Sequence, residues 1–143
     1  MAERCPEAQI AALAAELSQL DSDLPLLGAE SPLELERLSR DYYDYSPVLV
    51  PLLQGCRAQL VARATTVEQV LLVAGACARH GVPLTVRGAG TGNYGQCVPL
   101  QGGLVLDLSG LNQLRQLDEA TGVLDVEAGA LMGAIEQQLA PLG

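Results

Sequence analysis

Apolar residues recur at helical spacing from the start of the chain. Ile10, Leu13, Ala14, Leu17 and Leu20 fall on one stripe and predict a first helix. The stretch "DSDLPLLG" interrupts it. "SPLELERLSRDY" then predicts a second, short helix ending near Arg40. Ser31 stands as N-cap, Pro32 in the first turn and Glu34 three residues after the cap, the spacing of a capping box. From Asp41 to Gly55 the sequence "DYYDYSPVLVPLLQG" holds three tyrosines and two prolines, and it reads as an extended connector whose tyrosines either line a pocket or, the reading favoured, pack it onto the rest of the chain.

From Gln59 the pattern becomes regular. "QLVARA" is a short β-prone run. Thr65 and Glu68 have capping-box spacing, and "VEQVLLVAGACARH" follows as a helix whose expected buried face is Val70, Leu71, Val73, Ala74 and Cys77. Arg79 and His80 occupy its last turn, where cations suit the helix dipole, and Gly81 suits the C′ position. That placement accounts for the only histidine without any catalytic role. "VPLTVR" (Val82 to Arg87) predicts a second strand, so the unit is strand–helix–strand with parallel strands and a right-handed crossover. "GLVLDLS" (Gly103 to Ser109) is apolar enough for a buried third strand. "NQLRQLDEATGVLDVEAG" predicts two more strands turning at "EATG", and "ALMGAIEQQLA" a closing helix. Two segments follow: residues 1–55, helical with the connector, and residues 56–143, the regular α/β part. The acids of the third and later strands, Asp107, Asp118, Asp125 and Glu127, read as strand ends and solvated faces.

Composition narrows the chemistry. The 143 residues are 49% hydrophobic with no Phe or Trp, so the core is built from Leu, Val and Ala. No lysine is present, which excludes a phosphate loop of the G-x-x-x-x-G-K-[ST] type and a pyridoxal-phosphate Schiff base. The net charge of −9 argues against nucleic acid as the partner. Charge is uneven, however: residues 57–97 hold four arginines and a single acid, Glu68, an island able to draw an anion. Cys5, Cys56, Cys77 and Cys97 form no C-x-x-C pair and read as packed thiols. The absence of a signal-like N-terminus and of a membrane-length apolar run gives the expectation of a cytoplasmic protein.

The island contains "TVRGAGTGNYGQC", and within it "GTGNYG" fits G-x-G-x-x-G. A dinucleotide fingerprint needs a helix opening on its last glycines. Here only "QCVPLQGG" separates Gly95 from the next strand, too short for a crossover helix, so the Rossmann pattern fails on context and a nicotinamide site is disfavoured. Two readings remain. Gly88, Gly90, Gly92 and Gly95 free a run of backbone N–H groups to cradle a phosphate or diphosphate, with Thr91, Asn93 and Arg87 beside them; or the loop is a tight turn with no ligand.

From about Tyr42 onward the chain resembles the FAD-binding domain of the p-cresol methylhydroxylase and vanillyl-alcohol oxidase superfamily. More narrowly it resembles the FAD-linked oxidases related to the glycolate oxidase flavoprotein subunit and D-lactate dehydrogenase. The residues that carry the likeness are "ARATTVEQVLLVAGACARHGVPLTVRGAGTGNYGQCVPLQGGLVLDLSGLNQL" and "GVLDVEAGALMGAIEQQLAPLG". The resemblance implies an α+β fold: the first lobe of a PCMH-type FAD-binding domain, a small partly parallel sheet with flanking helices, preceded by N-terminal helices. It implies that Arg87, Gly88, Ala89, Gly90, Thr91, Gly92, Asn93, Tyr94, Gly95 and Gln96, with Gly129 of "EAGA", bind FAD. Some relatives attach FAD through a histidine in this loop; the matching region here has Thr91, which implies non-covalent FAD. Set against that family, the ending at Gly143 gives the expectation of a first lobe without the family's second lobe and cap domain. The expectation is therefore the FAD-binding portion of an oxidoreductase acting on a 2-hydroxy acid or similar alcohol, with a possible partner chain supplying the missing half and no catalytic residue assigned. The competing expectation is a truncated, non-catalytic nucleotide- or phosphate-binding module.

Overall fold

The computed structural model describes residues 3–142. Helix α1 (Glu7–Leu20) buries Ile10, Leu13 and Leu17, the predicted stripe less its last member, since Leu20 at the frayed end is exposed. A two-residue strand β1 (Leu26–Leu27) follows within the expected break. Helix α2 (Pro32–Leu38) starts at Pro32 as expected, but Ser31 makes no side-chain cap; Glu34 instead binds Arg37 one turn on, at 2.7 Å. The connector is not extended. It forms a 3₁₀ turn (Tyr43–Tyr45) and a short helix α3 (Leu49–Leu53). Pro51 is tolerated because it lies in the first turn of α3, where an amide has no intrahelical acceptor to lose. Tyr43 packs with Leu53 and Val98, while Tyr42 and Tyr45 stay exposed.

The regular part then runs β2 (Leu60–Arg63), α4 (Val67–His80), β3 (Leu84–Arg87), β4 (Leu104–Asp107), β5 (Leu114–Asp118), β6 (Val123–Val126) and α5 (Met132–Leu139). The main sheet has the order β1-β2-β4-β3. Strands β2 and β3 flank β4 in parallel, with Val61 and Thr85 both in register with Val105, and β1 pairs with β2 antiparallel. The strand–helix–strand unit therefore skips one position, which β4 fills. Strands β5 and β6 form a separate antiparallel pair turning at Gly122, whose φ of 70° needs glycine.

Alternation along the strands decides which helix covers which face. Leu60, Ala62, Leu104 and Leu106 pack against α1 and α4 through Leu13, Leu17, Val73, Ala76 and Cys77. Val61 and Val105 point the other way, onto Leu35 and Leu38 of α2. One apolar cluster thus joins residues before and after position 56. All four residues of β4 are buried, as its apolar run predicts.

Two details of α4 differ from expectation. Its cap is Thr66, which accepts the Gln69 N–H, one residue later than the Thr65–Glu68 pair; Gln69 reaches back to the Thr65 N–H at 2.8 Å. The buried stripe is Gln69, Val73, Ala76 and Cys77, with Leu71 68% exposed and Ala74 only half-buried. Gly81 closes the helix in the left-handed conformation, and His80 pairs with Glu16 on α1 at 2.5 Å.

Candidate functional site

The glycine segment leaves the carboxyl end of β3 and returns to β4 without forming any helix. That end of a parallel sheet is where open α/β folds place ligands. Gly90 and Gly95 hold φ values of 68° and 81°, a region that side chains with a Cβ enter only at a cost. Among the described residues, no acceptor within the chain takes the main-chain N–H of Ala89, Gly90, Thr91, Gly92 or Asn93. Five consecutive donors are thus left for something outside the chain. Thr91, Asn93, Tyr94 and Gln96 are exposed, and Gln96 accepts the Tyr94 N–H at 3.0 Å.

The loop rests on the segment that ends α2. Arg87 was expected as the full charge leading into the loop; it lies beneath it. It is buried, and its guanidinium donates to the carbonyls of Arg40 at 2.5 Å and Leu38 at 3.4 Å. It also fills the space that a Cβ on Gly90 would need. The Tyr42 N–H donates to the Gly92 carbonyl at 2.7 Å. Buried Ser39 ties the same segment to the sheet, donating to the Leu35 carbonyl and accepting the Ala58 N–H. Asp41 is 6% exposed. Its Oδ1 accepts the Tyr43 N–H, and its Oδ2 has no partner. The Arg87 and Tyr42 contacts join residues more than forty apart in sequence, and nothing in the local pattern announces them.

Gly129 comes to the same place from the other direction. A Cβ there would collide with the Leu108 carbonyl, so the "EAGA" turn lies hard against the end of β4. Gly88 faces the neighbouring Ala128 carbonyl, 3.5 Å from where its own Cβ would sit. Between them opens a cleft of about 360 Å³ that brings Ala89 and Gly129 together with Ser109, Asn112, Gln113 and Gln138. Ser109, Asn112 and Gln138 were not anticipated; the signal available for the first two was their position just past a buried parallel strand. A larger, open groove of about 570 Å³ follows the free edge of β3, but it gathers fewer polar side chains and only Gly95 and Gln96 of the loop.

Asp107 anchors the cleft's floor. It is a strand end, as expected, but it is buried rather than solvated. Burial pushes its carboxyl up, and the Ser109 N–H at 2.9 Å with the Arg63 guanidinium at 2.8 Å outweigh that, holding it below the usual carboxylate range. The same Asp107–Ser109 bond fixes the turn that presents Ser109. Glu127 likewise holds the Gln113 N–H and Arg115.

Three of the island's four arginines are engaged within the fold, and the fourth, Arg57, lies beside Gln54 and Cys56 rather than at the glycine loop. Arg63 is engaged by Asp107, Arg79 by Glu16, and Arg87 by backbone carbonyls. Any anion here is held by main-chain dipoles. A diphosphate suits this donor set, because it offers many acceptors and no large surface that would need a side-chain partner. The described residues contain no cluster fit to hold a metal ion, and His80 lies away from the loop beside Glu16.

A family profile described as "FAD binding domain" matches residues 58–143. An uncharacterised FAD-linked oxidoreductase of Mycobacterium tuberculosis is 32% identical over 82 residues, covering 57% of this chain and 18% of the relative. D-lactate dehydrogenase of Anaerostipes hadrus is 30% identical over 81 residues, covering 57% and 17%. Glycolate oxidase subunit GlcD of Escherichia coli K12 is 33% identical over 85 residues, covering 59% and 17%. Among solved structures, substrate-bound p-cresol methylhydroxylase superimposes with a TM-score of 0.76 at 22% identity, over 96% of this chain and 25% of that one. 4-Ethylphenol oxidase from Gulosibacter chungangensis gives 0.75 at 19%, over 96% and 25%. At these identities the structural likeness establishes the fold, a PCMH-type FAD-binding architecture. The chain spans less than a fifth of the length of these three curated relatives.

Proposed function

The chain belongs to the FAD-binding-domain family of FAD-linked oxidoreductases, and from that premise we propose that the loop from Arg87 to Gln96 holds the diphosphate of a non-covalently bound FAD. The observation that carries this is the run of free amides from Ala89 to Asn93 at the carboxyl end of β3. Bound FAD supplies a two-electron acceptor for an alcohol or hydroxy acid. The protein's own part is to hold and orient it. The amides from Ala89 to Asn93 donate to the phosphate oxygens. Gly90 leaves room for Arg87, which positions the loop by gripping Arg40 and Leu38. Gly129 lets the chain close against β4, so that Ser109, Asn112 and Gln138 line the path of the nucleotide. Tyr94, Gly95 and Gln96 complete the loop's outer turn. The segment 56–143 acts as the FAD-binding lobe, and residues 1–55 supply the brace beneath it.

The named relatives, a D-lactate dehydrogenase and a glycolate oxidase subunit, support a 2-hydroxy acid as substrate of the complete enzyme. Further polypeptide, in the same chain or a partner, supplies the groups that enclose the flavin ring. Four unpaired thiols suit a cytoplasmic setting. No helix among the described residues is long and apolar enough to cross a membrane.

The test is a titration of the purified protein with FAD, followed by flavin fluorescence and absorbance, then acid precipitation. The expected result is saturable binding with all flavin recovered in the supernatant. Colourless protein without affinity at micromolar FAD would contradict the assignment, and flavin that stays with the pellet would contradict non-covalent attachment.

A further inference from the structure

We propose that Asp41, which lies outside the segment matched by the family profile, accepts a hydrogen bond from a hydroxyl group of the bound flavin nucleotide and so fixes the direction in which the nucleotide lies along the loop. This rests on the FAD reading above.

Asp41 stands at the Gly92 corner of the loop. Its Oδ2 lies 3.3 Å from the position a Cβ on Gly92 would take. The carboxylate is held in place, because Oδ1 accepts the Tyr43 N–H at 3.0 Å and the next residue's N–H is bonded to the Gly92 carbonyl. Oδ2 is the one buried side-chain polar atom among the described residues that has no partner. Buried polar atoms are almost always satisfied, so an orphan in a rigid setting asks for a cause.

Arg87 and Gln96 carry donors near this corner, and neither bonds Oδ2. Arg87 gives its NH1 group to the carbonyls of Leu38 and Arg40. Gln96 presents its oxygen to the Gly92 corner, because that oxygen accepts the Tyr94 N–H. Oδ2 therefore lacks a donor among the described residues, and a bound ligand can supply one.

A carboxylate oxygen takes a hydrogen bond as an acceptor, and phosphate oxygens only accept, so Oδ2 pairs with a donor group of the nucleotide while the diphosphate lies on the main-chain amides of the loop. The part of the nucleotide near Gly92 must carry a donor. FAD has such groups in its ribityl chain and in its adenosine ribose, and both are hydroxyls flanking the diphosphate. Gln96, an exposed side chain, shares the corner with Oδ2, and swinging it aside opens the oxygen to the ligand.

The decisive variant is Asp41→Asn, which keeps shape and the acceptor for Tyr43 but replaces the free oxygen with an N–H donor. Two measurements are made on the full chain: the melting temperature without ligand, and the dissociation constants for FAD and for inorganic pyrophosphate. In the ligand-free protein the new amide can donate to the Gln96 oxygen, so the melting temperature is expected to hold or rise. The FAD dissociation constant is expected to rise about tenfold to a hundredfold, the loss of one hydrogen bond to a charged acceptor. Pyrophosphate, which has no hydroxyl of this kind, is expected to bind the variant as well or better. Competition with FMN and with ADP then identifies the source, since the loss follows the ribityl hydroxyl in the first and the ribose hydroxyl in the second. Unchanged FAD affinity in a folded variant would overturn the assignment. So would an equal loss against pyrophosphate, or a fall in melting temperature alongside the fall in affinity, which marks a structural role. Wild-type protein that binds no FAD would instead overturn the FAD reading, and the Asp41 assignment with it.

Discussion

Gly129 and Gly90 are needed for different reasons, and their replacements separate fold from ligand. At Gly129 a Cβ meets the Leu108 carbonyl, which the sheet holds in place. Gly129→Ala is expected to destabilise the chain by about 1–3 kcal/mol in urea unfolding. At Gly90 the obstacle is the Arg87 side chain, and φ is 68°. Gly90→Ala is expected to cost about 1–2 kcal/mol in strain and to weaken FAD by more than about tenfold, because the displaced guanidinium disturbs the loop it braces. Asp107 makes a pH prediction. Its carboxyl titrates lower in the folded chain than the unfolded value of about 3.9. Its contribution is therefore complete above that value and disappears as pH falls through the depressed folded one. The stability gap between the wild type and Asp107→Asn should narrow from about pH 5 down to about pH 2; a constant gap would mean that the charge on Asp107 contributes nothing. At this scale the sequence was readable where chemistry needs a special backbone, as at Gly90 and Gly129. It was silent on Asp41, Ser109 and Gln138, whose meaning comes from neighbours far along the chain.

Elements were readable in proportion to their length and periodicity. The helix α4 and the buried β4 follow from patterns long enough to have one solution. The strand β1 is two residues beside a proline and carries no period at all. Helix α3 is a single turn and a half with prolines near it, so its residues look extended until Tyr43, Leu53 and Val98 are seen to cluster. The apolar residues of α4 run round more than one face, and packing onto α1 and the sheet selects the stripe with Val73, Ala76 and Cys77, which leaves Leu71 in solvent. This is checked by one substitution made twice. Leu13→Ala, in the core of α1, is expected to cost about 2–5 kcal/mol, whereas Leu71→Ala should stay within about 0.5 kcal/mol. Comparable costs would return Leu71 to the buried face.

Across the whole molecule, the unequal distribution of charge suggested an attractive field, and three of the four arginines behind it are engaged within the fold. Arginines 63, 79 and 87 hold the structure together rather than face a ligand. The site is built from dipoles at fixed positions, with the segment before residue 56 bracing it from below. Salt should therefore matter little: raising NaCl from about 0.05 M to about 0.5 M is expected to change the FAD dissociation constant by less than about threefold. A steep decline would point to side-chain cations. The central claim is that five main-chain amides meet the diphosphate directly. A titration of the ¹⁵N-labelled chain with FAD, read by amide chemical shifts, tests it without any mutation. The amides of Ala89 to Asn93 are expected to move the most, and inorganic pyrophosphate should move the same set. FAD that binds while those five signals stay where they were would contradict the account.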